Sequence, residues 1–382
     1  MTSHDLIDHD MINGEITDQI NEEAAHAAQK ILVINVTRIG DTLLNTPAIR
    51  AIANKFANAA ITCLGHAKRV EVLQHLPYLA IADKIDKKSA VWRGRIGVLT
   101  GKSYDWAFVW GDDMALHRYA LRVAKRVVAY RQQDDALNSQ FFHTAAAPAL
   151  YAMHGAAMQL QLPRSVGIDT NNFKLDYVVT DSESRDAKQR LAKEAGDAKP
   201  LIGLQVASFP TKAYRDWPIT HFIALARQIV AAFPKAKFVM FGGPDDIARI
   251  APFRDALPDS TIVYAGAISL RETVAVMNEI DLYVGVDTGP THLYGALGKP
   301  MVAMYHSSLP SALYAPWDHP ALYVVDHPLA GKVVVGGGAE AGTMADISVE
   351  AVWARVADAL HKKPSRFAAM PPVGIASPTI HD

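Results

Sequence analysis

Leu282-Tyr-Val-Gly-Val286 is an unbroken apolar run, and it stops at Asp287-Thr288-Gly289-Pro290. Such a run, without polar alternation, fits a strand covered on both faces, as in a parallel sheet. Asp287 and Thr288 are of N-cap type, and Gly289-Pro290 lets the chain turn straight into a helix. Strand, tight turn and helix start leave backbone N–H groups and roughly half a positive charge aimed at one spot, which suits an anion. Thr288 and His292 flank that spot with a hydroxyl and an imidazole. Taken alone, the turn reads equally well as an ordinary capped helix in an α/β sheet.

A second turn of the same build lies near the start of the chain. Ile31-Leu-Val-Ile-Asn-Val36 runs into Thr37-Arg38-Ile39-Gly40-Asp41-Thr42. Gly40 permits the turn, and Asp41 falls at or just before a helix start. That leaves a carboxylate at the carboxyl end of a first strand, where open α/β sheets bind ligands. A helix N-cap is the structural alternative for Asp41. Together, R-x-G-D-x-L-x-x-T-P-x-x-R-A from Arg38 and D-T-G-x-x-H-L-x-x-A-L-G-K-P from Asp287 resemble glycosyltransferase family 9, the ADP-heptose:lipopolysaccharide heptosyltransferases. The resemblance spans residues 31 to 360. It implies an α/β GT-B fold: two Rossmann-like, doubly wound parallel-sheet domains facing a cleft.

Composition agrees with that expectation. A chain of 382 residues is long for one core, so two domains are expected. Hydrophobic residues make up 50% and mean hydropathy is +0.05, as in globular α/β proteins. A net charge of −1 gives no bias toward nucleic acid. Cys63, the single cysteine, excludes an intrachain disulfide framework and a Cys-rich metal site; it sits in a strand-like run and reads as a core residue. No apolar run reaches the roughly 18 residues of a spanning helix, and the acidic N-terminus has neither the basic start nor the apolar stretch of a secretory signal. A cytoplasmic protein, at most peripheral to the inner membrane, is the expectation.

Residues 1–29 are polar, acidic and aperiodic, and read as a disordered or loosely docked extension. A first domain is expected over 30–196, with strands at 31–36, 60–64, 81–86, 105–110 and 126–130. A charged helical stretch from Asp181 to Gly196 leads to Asp197-Ala-Lys-Pro200, where the interdomain link is placed. A second domain over 197–347 has strands at 201–206, 237–241, 261–264, 282–286 and 301–305. A helix over 348–363 follows, and in the GT-B fold it packs back across the first domain. The tail over 364–382 reads as flexible.

The resemblance assigns roles. Asp41 matches the family's base, which takes a proton from the acceptor hydroxyl during an inverting transfer. Asp287, Thr288, Gly289 and His292 match its donor motif. Backbone N–H groups and the Thr288 hydroxyl suit phosphate oxygens, Asp287 suits sugar hydroxyls, and His292 orients the loop or meets the phosphate. The family's S-x-P-x-K-x-W-P is stretched here into Ser208-Phe-Pro-Thr-Lys212-Ala-Tyr-Arg215-Asp-Trp217-Pro218. Lys212 keeps the spacing from the proline and Arg215 the spacing to the tryptophan, so either cation fits the phosphates. Asp245 or Asp246, in Phe241-Gly-Gly-Pro-Asp-Asp246, fits the ribose, with a solvated turn as the alternative. Ile268 and Leu270 lie where the family forms its adenine pocket, with core packing as the alternative.

Two patterns are decoys. Gly97-Val-Leu-Thr-Gly-Lys-Ser103 is one residue short of a P-loop and follows no apolar strand. The strict D-x-D, Asp8-His9-Asp10, lies in the extension, so no metal and no other cofactor is expected. Between residues 84 and 131 basic groups outnumber acids, which suits an anionic glycolipid acceptor at the inner membrane surface or a solvated helix face. Arg38, Arg118 and Arg122 are the acceptor candidates. The expected activity is metal-independent transfer of heptose from ADP-heptose to a lipopolysaccharide core. The competing readings are a transferase of the same fold using another nucleotide sugar on a protein or other polysaccharide, and a non-catalytic nucleotide-sugar binder.

Overall fold

The computed structural model describes residues 19–208, 210–337 and 341–362. Contacts divide it into two compact units. The first holds the chain up to Thr37, Pro47–Pro148 and Met158–Asn171; the second holds Arg38–Thr46, Ala149–Ala157 and the chain from Asn172 onward.

In the first unit, β1 (Lys30–Asn35), β2 (Ala60–Gly65), β3 (Ile81–Lys84), β4 (Tyr104–Val109), β5 (Ala124–Tyr130) and β6 (His143–Ala145) form one sheet in the order β3-β2-β1-β4-β5-β6. All its pairings are parallel, with Ile31 opposite Ile61 on one side and Trp106 on the other. In the second unit, β7 (Leu201–Gln205), β8 (Lys237–Met240), β9 (Thr261–Val263), β10 (Leu282–Val286), β11 (Met301–Tyr305) and β12 (Leu322–Asp326) run β12-β11-β10-β7-β8-β9. These pairings are parallel too, with Val284 between Leu204 and Val302. The apolar runs take this form because each strand is covered on both faces. Leu282, Val284 and Val286 enter one core, and Tyr283, pointing the other way, enters a second with Met301 and Ala303.

Several boundaries differ from the sequence reading. The last third of the supposed loose extension is docked. Glu22–Ala27 is a helix capped by Asn21, Ile20, Ala25 and Ala28 are buried, and the Ile20 N–H donates to the Val166 carbonyl at 3.1 Å. Asp8-His9-Asp10 lies outside the described residues, as does the tail beyond 362. The helix Asp181–Ala195 belongs to the second unit, whose last segment begins at Asn172, ahead of the expected link. Ala187, Leu191 and Ala195 join its core, and Arg271 grips Glu183 at 2.5 Å, holding that carboxyl down at about 2. The helix Val349–Leu360 buries Val352, Val356 and Ala359 in the core of the second sheet, with residues of β10 and β11. Cys63 is a core residue as expected, and burial pushes its thiol up to about 12. The P-loop look-alike lies at the end of the helix Lys87–Thr100 and its Gly101 cap, not in a strand-to-helix turn.

Candidate active site

In the second unit the strand order reverses between β7 and β10, which are neighbours with Gln205 opposite Gly285. Loops leaving the two carboxyl ends diverge there, and open α/β sheets bind ligands at such a point. The chain places Val206–Arg215 after one strand and Asp287–His292 after the other.

The helix Gly289–Leu297 begins at Thr288, whose hydroxyl makes no capping bond to the helix. It turns back to the Val286 carbonyl at 3.3 Å and to Thr291 Oγ1 at 3.4 Å. Thr291 in turn donates to the Val286 carbonyl and meets the Tyr283 hydroxyl at 3.0 Å. The threonines therefore brace the turn, and the first-turn N–H groups keep no side-chain cap, which leaves the helix end fit for an anion.

Asp287 is 6% exposed. A buried carboxylate needs a charged partner, and Arg215 supplies it: Nη1 donates to Oδ2 at 3.0 Å, while His292 Nε2 lies 3.4 Å from Oδ1. Both oxygens thus face protein groups. His292 Nδ1 and Arg215 Nε are buried and have no partner among the described residues.

The R-x-G-D segment packs in this same unit. Ile39–Leu44 is a helix whose N-cap residue is Arg38, so Asp41 is not the cap but a half-buried residue of the first turn, where the helix dipole favours a carboxylate. This helix lies against Gly289–Leu297. A Cβ on Gly40 would sit 2.8 Å from His292 Cδ2, so a glycine is needed for the imidazole to approach. The two motifs recognised in the sequence meet here. Tyr314 stands in the field of both acids: burial first, then Tyr151, Asp41 and Asp287, push its hydroxyl up, and Arg215 opposes them.

The loop after β7 separates the two competing cations. Arg215 has a side chain only 15% exposed and points at Asp287. Lys212 is half-buried, its ammonium 5.9 Å from the exposed Tyr214 ring. Ser208 is spent on the loop: its N–H donates to Asp216 at 2.7 Å and its hydroxyl to the Lys212 carbonyl at 2.8 Å. Arg249, which no motif announced, donates to the Ser208 carbonyl at 2.7 Å, pairs with Asp216 and lies 3.5 Å from Asp246. It straps the loop after β7 to the one after β8. Asp246 also accepts the Gly243 N–H at 2.9 Å, and burial raises its carboxyl, so Asp245 is the exposed acid of that turn. Ile268 packs against the core, and Leu270 is half-buried at the start of the helix Leu270–Met277. Arg38 is exposed near Asp41. Arg118 and Arg122 belong to the first unit, where they line a pocket of about 330 Å³ with Asp134.

The family model of glycosyltransferase family 9 (heptosyltransferase) matches residues 110–330. This chain belongs to glycosyltransferase family 9. It is a glycosyltransferase, and Asp41, outside the matched span, is tied to it by the packing of Gly40 on His292. Among similar proteins, lipopolysaccharide heptosyltransferase 3 of Escherichia coli is 21% identical over 295 residues, covering 73% of this chain and 84% of that protein. The crystal structure of the family 9 glycosyl transferase from Veillonella parvula DSM 2008 has a TM-score of 0.75 at 19% identity, over 88% of this chain and 98% of that one. E. coli ADP-heptose lps heptosyltransferase II has a TM-score of 0.72 at 18% identity, over 87% and 99%. These structures share the transferase's fold.

The site rests on a second layer with its own pH response. His154 stacks on Trp317 at 3.8 Å; its Nδ1 accepts the Ala156 N–H, so Nε2 carries the proton it donates to the Ala315 carbonyl at 2.8 Å. Burial lowers His154 to about 3 and His319 to about 4. Unfolded, both would bind a proton near pH 6.5, so stability is complete above that value and is lost as pH falls toward 4 and 3. Thermal unfolding followed from pH 7.5 to 4.5 should show a falling Tm, with a shallower slope for His154→Gln. An unchanged slope would mean that His154 is protonated in the folded state.

Proposed function

We propose that this transferase moves a heptose from ADP-heptose to a lipopolysaccharide-core acceptor, with inversion and without a metal ion. Asp41 takes the proton from the acceptor hydroxyl, the oxygen attacks the anomeric carbon, and ADP leaves from the opposite face. Arg215 and the N-terminus of the helix Gly289–Leu297 receive the charge that develops on the departing diphosphate. Asp287 holds Arg215 and His292 in place, and Asp245 takes the ribose. The observation that carries this reading is the packing of the Asp41 helix against the donor helix, with Gly40 on the His292 ring. The names of the E. coli relatives support the choice of donor and acceptor.

Purified enzyme given ADP-heptose and a heptose-deficient lipopolysaccharide should release ADP and add one heptose to the acceptor, read by mass. Release of nucleotide only from another sugar donor, or transfer only to a protein, would replace this assignment. Among the described residues no group of three or more His, Cys, Asp or Glu is placed to hold a metal ion. Turnover should therefore persist in EDTA, and strict dependence on added Mg²⁺ or Mn²⁺ would overturn the metal-free step.

A further inference from the structure

The helix Lys87–Thr100 in the first unit is built inside out. Its inward face is Ala90, Gly94 and Gly97, all buried. A Cβ on Gly97 would come within 2.6 Å of Val123, and one on Gly94 within 3.1 Å of Arg122, so the glycines let the helix lie close on its neighbour Met114–Val123. The large apolar residues point the other way: Trp92 is 64% exposed, Val91 42% and Ile96 39%. Lys88, Val91, Trp92, Arg95 and Ile96 follow the i, i+3, i+4, i+7, i+8 spacing of a single helix face. Met114, 39% exposed, starts the neighbouring helix, and a shallow depression of about 490 Å³ is lined by Lys87, Lys88, Val91, Trp92, Arg95 and Ala115.

Charge selects the occupant. Arg95 has no carboxylate partner among the described residues, and Lys87 has only an exposed contact of 3.3 Å with Asp113. The nearby acids are largely committed. Asp86 caps this helix through the Ser89 N–H, Asp113 caps the next through the Ala115 N–H, and Asp83 pairs with Arg93 at 2.9 Å; Asp112 is the exposed exception. An exposed tryptophan and aliphatic side chains on one helix face, interleaved with exposed cations, match an interface with lipid tails on one level and anionic headgroups on the other.

We propose that this helix face docks the enzyme on an anionic lipid bilayer, with Trp92, Val91 and Ile96 entering the headgroup boundary and Lys88 and Arg95 meeting lipid phosphates. Its test uses neither donor nor acceptor.

The full chain should co-sediment with vesicles of phosphatidylglycerol and phosphatidylcholine at low salt, and not with phosphatidylcholine alone. Each surface cation contributes about 1 kcal/mol near such a membrane, so Lys88→Ala with Arg95→Ala should weaken partitioning about 30-fold. Trp92→Ala should weaken it about tenfold or more with Tm unchanged, since the indole is largely exposed. Brominated lipids should quench wild-type fluorescence more than that of Trp92→Phe. Absence of binding to anionic vesicles, equal binding by the variants, or a wild-type dimer that Trp92→Ala turns into a monomer would each overturn the proposal. The dimer result would give the face to a second copy of the chain.

Discussion

Asp41→Asn should lower kcat by at least about 10²-fold, the usual contribution of a positioned general base. The substitution keeps the shape of the side chain and removes its ability to take a proton. Asp41 is not the helix cap: Arg38 holds that position, and the Arg38 carbonyl accepts the Thr42 N–H at 2.9 Å. Loss of the charge should therefore leave the helix Ile39–Leu44 in place, and Gly40 should still meet His292. ADP affinity by calorimetry should be nearly unchanged, because the groups proposed for the diphosphate lie on other loops. A variant that keeps more than about a tenth of wild-type kcat would move the base elsewhere, since the role is worth more than that.

Arg215→Ala should be the most damaging change on the donor side, for two separable reasons. It leaves Asp287 as a buried carboxylate without its main partner, a situation that costs about 3–5 kcal/mol in folded stability. It also removes a charge-assisted contact proposed for the diphosphate, worth about 1.5–3 kcal/mol in ADP binding. Arg215→Leu combined with Asp287→Leu should recover most of the stability, because neither charge is then stranded, and should not recover ADP affinity. Lys212→Ala should cost under about 1 kcal/mol in either assay, the scale of a weak surface electrostatic contact. Thermal unfolding and ADP titration of the set decide the matter. A larger loss of affinity for Lys212→Ala would give the phosphate to the lysine.

How much of this was legible in the sequence depends on whether a residue acts through its own segment. The runs at 31–36, 201–206, 282–286 and 301–305 announced parallel strands because both faces of each strand are covered. β6 is three residues long, too short to carry a period, and β12 follows Pro310, Pro316 and Pro320, where proline reads as loop. The turns at Gly40 and Gly289 were readable because glycine and proline mark backbone geometry directly. The division of labour between Lys212 and Arg215 was not, because it depends on Asp287, far along the chain. Arg249 had no motif, and its role exists only once the loops after β7 and β8 are folded side by side.

The membership of Arg38–Thr46 in the second unit bears on how such enzymes can be recombined. A chimera cut near Gly196, where the sequence alone places the junction, would combine the proposed base from one parent with the proposed donor site from the other. Ile39 and Gly40 would then have to fit a foreign helix at the contacts made here by Gly289 and His292, where a Cβ on Gly40 would lie 2.8 Å from the imidazole. Productive exchange of acceptor specificity should instead carry residues 38–46 along with the C-terminal half, as a nine-residue insert grafted into the other parent's N-terminal sequence.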